Sequence, residues 1–271
     1  MLQHTSLGVV IVSWNVSELL NQSLVSLRRE LNRIPVPASV WVLDNASEDE
    51  TAAMVRKRHA WVRLIESDKN LGYVGGNNVV MQRLLDDQPP EYLWLLNPDT
   101  WVHPQALERL VSFMVTHPKV GMAGPTLLNP DGSRQTCAFH FPGLLQPLFD
   151  LGLMPERFYH SRLNGRYPNE WFARGEPFQI DHPLGAALLA RTEAVREVGL
   201  LDPQFFMYCE EIDWAWRMRR AGWQAWLVPE AEVTHVGGAS TRQARPQATR
   251  FLWESRAKLY AKHRGALMQG V

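Results

Sequence analysis

The chain of 271 residues carries 28 basic and 28 acidic side chains, a formal net charge of zero, and is 45% hydrophobic and 21% charged. That size and composition fit one large globular domain with a short tail, and the balanced charge supplies no field to gather nucleic acid or an anionic membrane. Cys137 and Cys209 form no Cys-x-x-Cys pair, which excludes a zinc cluster and suits a reducing cytoplasm, and no run approaches the ~18 apolar residues of a membrane span.

In chain order, Val9 to Ser13 is a β-branched run that predicts a strand, and Leu20, Leu24, Leu27 and Leu31 then share one face of a helix. Val40 to Leu43 predicts a second strand. It runs into Asp44-Asn45-Ala46-Ser47, where Ser47 and Glu50 have the spacing of a capping box opening a helix. Val62 to Ile65 gives a third strand, and the Gly-rich stretch from Gly72 to Gly76 leads into a helix over Asn77 to Leu85. Tyr92 to Leu96 is a fourth strand, and Pro104 opens a helix reaching Thr116. This alternation implies a parallel sheet covered on both faces, with ligands gathering beyond the carboxyl ends of its strands. Trp14 and Asn15, Asp44 and Asn45, and Asn97 to Thr100 occupy that edge.

From Ser133 to Pro183 the periodicity fades into long loops with short helices, a pattern often functional. Regular structure returns at Leu184 to Leu189, followed by a helix near Thr192 to Val198 and another over Glu210 to Ala221, stopped by Gly222. Trp223 to Val228 and Ala231 to His235 read as strands, and Arg250 to His263 as a terminal helix. Arg217, Arg219 and Arg220 read as a solvated helix face. Trp214, Trp216, Trp223 and Trp226 fit core packing, with Trp214 the one most suited to face a sugar.

Phosphate cradles are missing. The first strand leads into Ser13-Trp14-Asn15-Val16-Ser17 without a Gly-x-Gly-x-x-Gly, and Gly72 to Gly76 lacks the Gly-Lys-Ser/Thr of a P-loop. Carboxylates stand out instead. Asp44 and Asp99 each end an apolar strand and project toward one crevice, although a turn or cap role explains either alone. Glu210, Glu211 and Asp213 crowd the first turn of a helix, whose dipole favours each by about 0.3–1 kcal/mol.

The segments Val9 to Asn15, Leu43 to Asp49, Asn70 to Asn77 and Asn97-Pro98-Asp99 resemble the nucleotide-binding half of the inverting glycosyltransferases of family 2. Gly185 to Leu189, Gly199 to Pro203, Phe206-Met207-Tyr208 and Glu210 to Trp214 resemble the acceptor half, especially in the rhamnosyltransferase-like branch. The resemblance implies the GT-A fold, an α/β architecture with a mostly parallel central sheet and helices on both faces. Residues 1–130 would form the nucleotide-binding half, 131–245 the acceptor half and 246–271 a helical tail.

By the same resemblance Asp99, closing an Asn-Pro-Asp turn in place of Asp-any-Asp, holds Mg2+ or Mn2+, and His235 is the second ligand. Donor phosphate oxygens complete the shell. Asp44 contacts the base and ribose, with Ser13, Asn15, Asn45, Gly72, Asn77 and Asn97 around the donor. Glu211 is the general base, standing where Asp is usual, and Asp213 is the competing base; Gly185 and Trp214 line the acceptor site. The donor implied is a nucleoside-diphosphate sugar, dTDP-rhamnose ahead of a UDP-sugar. The acceptor is a saccharide or lipid-linked sugar in surface polysaccharide synthesis, with no nucleic acid involved. Peripheral contact with the inner membrane face and a homodimer are left open. Two other readings stand beside this one: a noncatalytic nucleotide or carbohydrate binder of the same fold, and a sugar nucleotidyltransferase, which the missing basic Gly-rich loop disfavours.

Overall fold

Continuous apolar runs build the centre of the sheet, because a strand covered on both faces has no solvent side to keep polar. In the computed structural model, which describes residues 5–239, 243 and 245–265, every residue of β4 (Tyr92–Leu96) is buried, and β1 (Leu7–Ser13) is nearly so. The flanking pieces of the expected domain and tail, residues 1–4, 240–242, 244 and 266–271, lie outside the described residues.

Between β1 and β4 come α1 (Ser17–Leu31), β2 (Ala38–Asp44), α2 (Thr51–Arg58), β3 (Arg63–Glu66) and α3 (Gly72–Asp86). After β4 follow β5 (Thr100–Val102), α4 (Ala106–Thr116), β6 (Val120–Leu128), β7 (Ala138–Phe139), α5 (Gln146–Asp150), α6 (Asn169–Ala173), β8 (Phe178–Ile180) and β9 (His182–Pro183). The chain closes with β10 (Ala187–Arg191), α7 (Thr192–Val198), α8 (Glu210–Arg220), β11 (Gln224–His235) and α9 (Arg245–Arg264).

The main sheet has the order β3-β2-β1-β4-β10-β6-β11-β5, with β8 also paired to β11. Six of its strands, β3, β2, β1, β4, β6 and β11, point one way, whereas β10, β5 and β8 run against their neighbours. The mostly parallel sheet is thus present, with β10 wedged antiparallel between β4 and β6. From β1 the chain steps outward to β2 and β3, then returns to β4 on the other side of β1. Right-handed crossovers therefore place α1 and α2 on one face and α3 on the other, and open a crevice at the carboxyl ends of β1 and β4.

Several boundaries differ from the periodicity. β6 is hidden in the sequence because Gly121, Gly124 and Pro125 interrupt its apolar run. The glycines are there for close packing: a Cβ on Gly121 would lie 2.8 Å from Trp223 Cβ, and one on Gly124 2.6 Å from Pro183 Cβ. The two strands expected over 223–228 and 231–235 are one strand, β11, irregular between Val228 and Glu232. α3 begins at Gly72 rather than Asn77, and α9 at Arg245 rather than Arg250. The capping box does not form. α2 starts at Thr51, whose N–H donates to Asp49 Oδ1 (3.0 Å), while Ser47 Oγ is taken by the N–H of Asn15 (2.9 Å).

Candidate active site

The crevice is assembled by hydrogen bonds among loops that follow β1, β2 and β4. Ser13 and Asp44 are register partners at the ends of β1 and β2. Beyond them Asn15 adopts φ +53°, a left-handed conformation that Asn tolerates, and accepts from the Glu48 N–H (2.8 Å). Asn45 uses its whole amide as a clasp: Nδ2 donates to Asn70 Oδ1 (3.0 Å) and the Gly72 carbonyl (3.1 Å), and Oδ1 accepts from the Leu71 N–H (2.8 Å). Gly72 has φ +71°, and a Cβ there would sit 2.5 Å from the Phe206 carbonyl oxygen. Only glycine lets α3 start so close to Phe206.

These loops bound a cavity of about 420 Å3 walled by Trp14, Asn45, Gly72, Tyr73, Asn97 and Asp99 on one side and by Phe206, Met207 and α9 on the other. Phe251 of α9 packs on Phe206 with ring centroids 4.6 Å apart, and Ser255 Oγ donates to the Met207 carbonyl (2.8 Å). The part played by α9, through Gln247, Ala248 and Phe251, had no signal in the sequence, since its apolar residues form no clean stripe. Ser13 and Asp44 are buried behind this wall, not on it. Ser13 Oγ and Asp44 Oδ1 have no hydrogen-bond partner, and burial pushes the Asp44 carboxyl up against the opposing bonds from Ser47. Asn77 is also off the wall: its Nδ2 donates to the Tyr73 carbonyl (2.8 Å) inside α3.

At the far end of the cavity, Asp99 Oδ1 lies 3.4 Å from His235 Nε2, and Asn97 Nδ2 is 3.3 Å from the same nitrogen. His235 Nδ1 lies 2.8 Å from Gln135 Oε1, and Gln135 Nε2 donates to Asn129 Oδ1 (3.3 Å). The Asn129 bond fixes which end of the Gln135 amide is carbonyl, so Nδ1 carries the proton and Nε2 faces Asp99. Burial works to raise the Asp99 pKa, but the bond and charge that His235 offers once its Nε2 is also protonated, together with backbone N–H groups, more than offset it and hold the carboxyl below its ordinary value. A carboxylate oxygen and an imidazole nitrogen that converge, with the other ring nitrogen tied back to Gln135, are a donor pair suited to a divalent cation. Gln135, which the sequence reading missed, lies in an irregular loop where no periodicity marks it.

Glu211 lines a neighbouring cavity of about 270 Å3 together with Arg166, His182 and Arg256. The partition between the two cavities is thin. Tyr73 Oη donates to the Gly185 carbonyl (2.8 Å), the Asn97 N–H donates to the Ala186 carbonyl (2.8 Å), and a Cβ on Gly185 would lie 3.6 Å from Glu211 Cβ. Burial raises the Glu211 pKa, against the pull of backbone N–H groups and Arg256; Glu210 is raised further by its own burial and by the Glu211 charge. Glu211 Oε2 has no hydrogen-bond partner.

Two expectations for α8 are corrected. Asp213, the competing base, lines neither cavity: Oδ2 accepts from Arg217 Nε (2.8 Å), and Oδ1 from His263 Nε2 (2.7 Å) and Lys262 Nζ (2.7 Å). Burial opposes ionisation there, yet these three donors draw its pKa down to about 2. Trp214, expected in the acceptor site, is wholly buried and donates Nε1–H to the Gly199 carbonyl (2.9 Å). Helical spacing explains Asp213, which two residues on points to the opposite side of α8 from Glu211; Trp214, three residues on, lies on the side of Glu211 but is drawn inside by its bond to Gly199. Arg217 is likewise no solvated side chain, as it also donates to the Val198 and Leu200 carbonyls, 2.6 and 2.8 Å away.

Comparison with known proteins adds an independent view. The family model described as Glycosyl transferase family 2 matches residues 8–180. The chain is 32% identical over 250 residues to the N-acetylglucosaminyl-diphospho-decaprenol L-rhamnosyltransferase of Mycobacterium tuberculosis, covering 87% of this chain and 77% of that protein. Among solved structures it is similar to GalNAc-T7 with UDP, GalNAc and Mn2+, with a TM-score of 0.65 and 16% identity over 98% of this chain; it spans 53% of that longer chain. It is also similar to the mannosyltransferase PcManGT from Pyrobaculum calidifontis in complex with GDP-Man and Mn2+, with a TM-score of 0.58 and 15% identity over 97% of this chain and 71% of that one.

Proposed function

The chain belongs to glycosyl transferase family 2 and has its GT-A fold, and on that premise we propose that it transfers L-rhamnose, with inversion, from dTDP-rhamnose to a polyprenyl-diphosphate-linked saccharide during surface polysaccharide synthesis. One observation carries the reading: Tyr73 and Asn97, which wall the cavity that Asp99 lines, bond the Gly185 and Ala186 carbonyls, and Gly185 abuts Glu211, which lines the second cavity. A donor in the first cavity and an acceptor in the second meet there. The relative in Mycobacterium tuberculosis supports the sugar and the acceptor, and the acid pattern matches what an inverting transfer needs.

In this reading the nucleotide lies against Trp14 and the Asn45 clasp. Asp99 Oδ1 and His235 Nε2 would hold a divalent ion, Mn2+ ahead of Mg2+ because of the imidazole. Among the described residues no cluster of three or more His, Cys, Asp or Glu side chains suited to a metal comes together, so donor phosphate oxygens and water would fill the other positions. When bound, such an ion offsets the charge that grows on the departing diphosphate. Glu211 removes the proton of the acceptor hydroxyl as its oxygen bonds to the anomeric carbon and the bond to diphosphate breaks on the opposite face; base assistance of this kind is worth ~10²–10⁴ in rate. No helix among the described residues is long and apolar enough to cross a membrane, so a lipid-linked acceptor would be met at a membrane surface. A noncatalytic binder would have no need of carboxyls at both 99 and 211.

The test is a donor panel run with Mn2+, with Mg2+ and without either. dTDP-rhamnose with Mn2+ raises the Tm by mass action and supports transfer, and Asp99→Asn loses both. Donor binding without turnover on any acceptor would leave the binder reading in its place.

A further inference from the structure

The second cavity contains more charge chemistry than a general base requires. Arg166 lies with its guanidinium 4.8 Å from the centre of the Phe139 ring and makes no side-chain hydrogen bond to any described residue. Arg256 reaches Asp150 Oδ2 at 3.0 Å through Nη2, but its Nε is enclosed with no partner. Arg256 Nε has lost water without regaining a hydrogen bond, which is costly unless a ligand supplies an acceptor, and Arg166, lining the same cavity, keeps its donors unspent. The planar guanidinium fork matches phosphate oxygens. Of the other groups, burial pushes His182 down to about 4, so it is neutral, Asp150 is already engaged by Arg256, and Glu211, although its charge is felt by Arg256, makes no ion pair with either guanidinium among the described residues.

The rim of the same cavity is apolar in an unusual way. Gln146, Phe149 and Asp150 of α5 line the cavity. The leucines around them face outward: Leu144 is 66% exposed, Leu151 55% and Leu153 67%, with Leu145 and Leu148 also exposed. Exposed leucines gathered on one short segment mark a site that meets an apolar partner. Arg157 and Arg162 flank them in the same loop region and suit an anionic surface.

We propose that the second cavity is the diphosphate site of the acceptor: Arg166 and Arg256 hold its phosphate oxygens beside Glu211, and the leucine rim of α5 receives the polyprenyl chain at the lipid surface. This rests on the transferase reading above and locates the acceptor within it. The phosphate, not the sugar alone, then positions the hydroxyl, and the lipid enters from the side away from the nucleotide.

Binding is tested with farnesyl diphosphate as the probe, titrated calorimetrically into the full chain while a saturating nucleoside diphosphate fills the first cavity. Wild type binds farnesyl diphosphate well above farnesol, and Arg166→Gln weakens it on the order of tenfold or more, as loss of a charge-assisted contact requires, with Tm unchanged. The double variant Leu144→Glu, Leu148→Glu loses co-sedimentation with vesicles of phosphatidylglycerol and phosphatidylcholine. Equal affinity in Arg166→Gln, or no preference for the diphosphate over farnesol in wild type, overturns the proposal; so does undiminished vesicle binding by the leucine variant. If the probe binds as expected while no diphosphate-linked acceptor receives sugar, the phosphate site stands and the transferase reading fails.

Discussion

Replacing Asp213 by Asn separates an anchor from a base more sharply than any other single change. The carboxylate is fully enclosed and receives donors from Arg217, Lys262 and His263, joining α8 to the far end of α9. Asn keeps the shape and removes the charge, leaving three donors around a neutral amide. Breaking a buried charge network by removing one partner costs about 3–5 kcal/mol. The depression of the Asp213 pKa from 3.8 to about 2 gives an independent figure of ~2–3 kcal/mol, within a factor of two of the first. The sign follows: this stability is complete above the unfolded carboxyl's pKa and is lost as pH falls from 3.8 toward 2. At roughly 2–4 °C per kcal/mol, Asp213→Asn lowers the Tm by roughly 6–20 °C at pH 7. Calorimetry measures that shift, and transfer is assayed well below the new midpoint. There kcat is largely kept and the donor KM rises, because α9 walls the first cavity. An unchanged Tm with abolished transfer would refute the argument and make Asp213 the base.

Gln135→Leu removes the acceptor for His235 Nδ1–H, and outer partners of this kind are worth ~10–100-fold in metal affinity. The Mn2+ concentration for half-maximal transfer rises by that factor while Tm is little changed; an unaltered Mn2+ requirement would count against the Asp99–His235 site. Glu211 acts as a base only when ionised, and burial holds its pKa above 4.5, so kcat/KM climbs with pH through a limb above that value. Arg256 lowers the Glu211 pKa, so Arg256→Gln moves the limb to higher pH, and Glu211→Gln abolishes transfer while sparing donor binding. A profile flat from pH 4 upward in wild type would rule Glu211 out.

The parallel half of the sheet was legible because strand and helix periods alternate from Val9 to Thr116, where most elements bury a continuous face and only the edge strand β3 stays half-exposed. β6 was not, since its glycines answer to Trp223 and Pro183, residues far away in the chain. The Ser47–Glu50 capping pattern misled for a related reason: Asn15, on another loop, takes the Ser47 hydroxyl that a helix start would have used. At the site, Asp99 and Asn97 line the first cavity and Glu211 the second. Asp213 and Trp214 share a motif with Glu211, but Asp213 turns to the opposite side of α8 into a cluster of basic donors, and Trp214 is buried against Gly199.

The sequence by itself determined the family and most of the alternating elements of the first half, because these are properties of short runs and of their order along the chain. Only the tertiary structure decided that Gln135 bonds His235, that α9 walls the first cavity, and that Arg166, Arg256 and Glu211 line a second one. Those relations join positions up to about a hundred residues apart or more, as with the Gln135–His235 bond, and come into being when the halves of the sheet pack together. Local propensity carries no record of them.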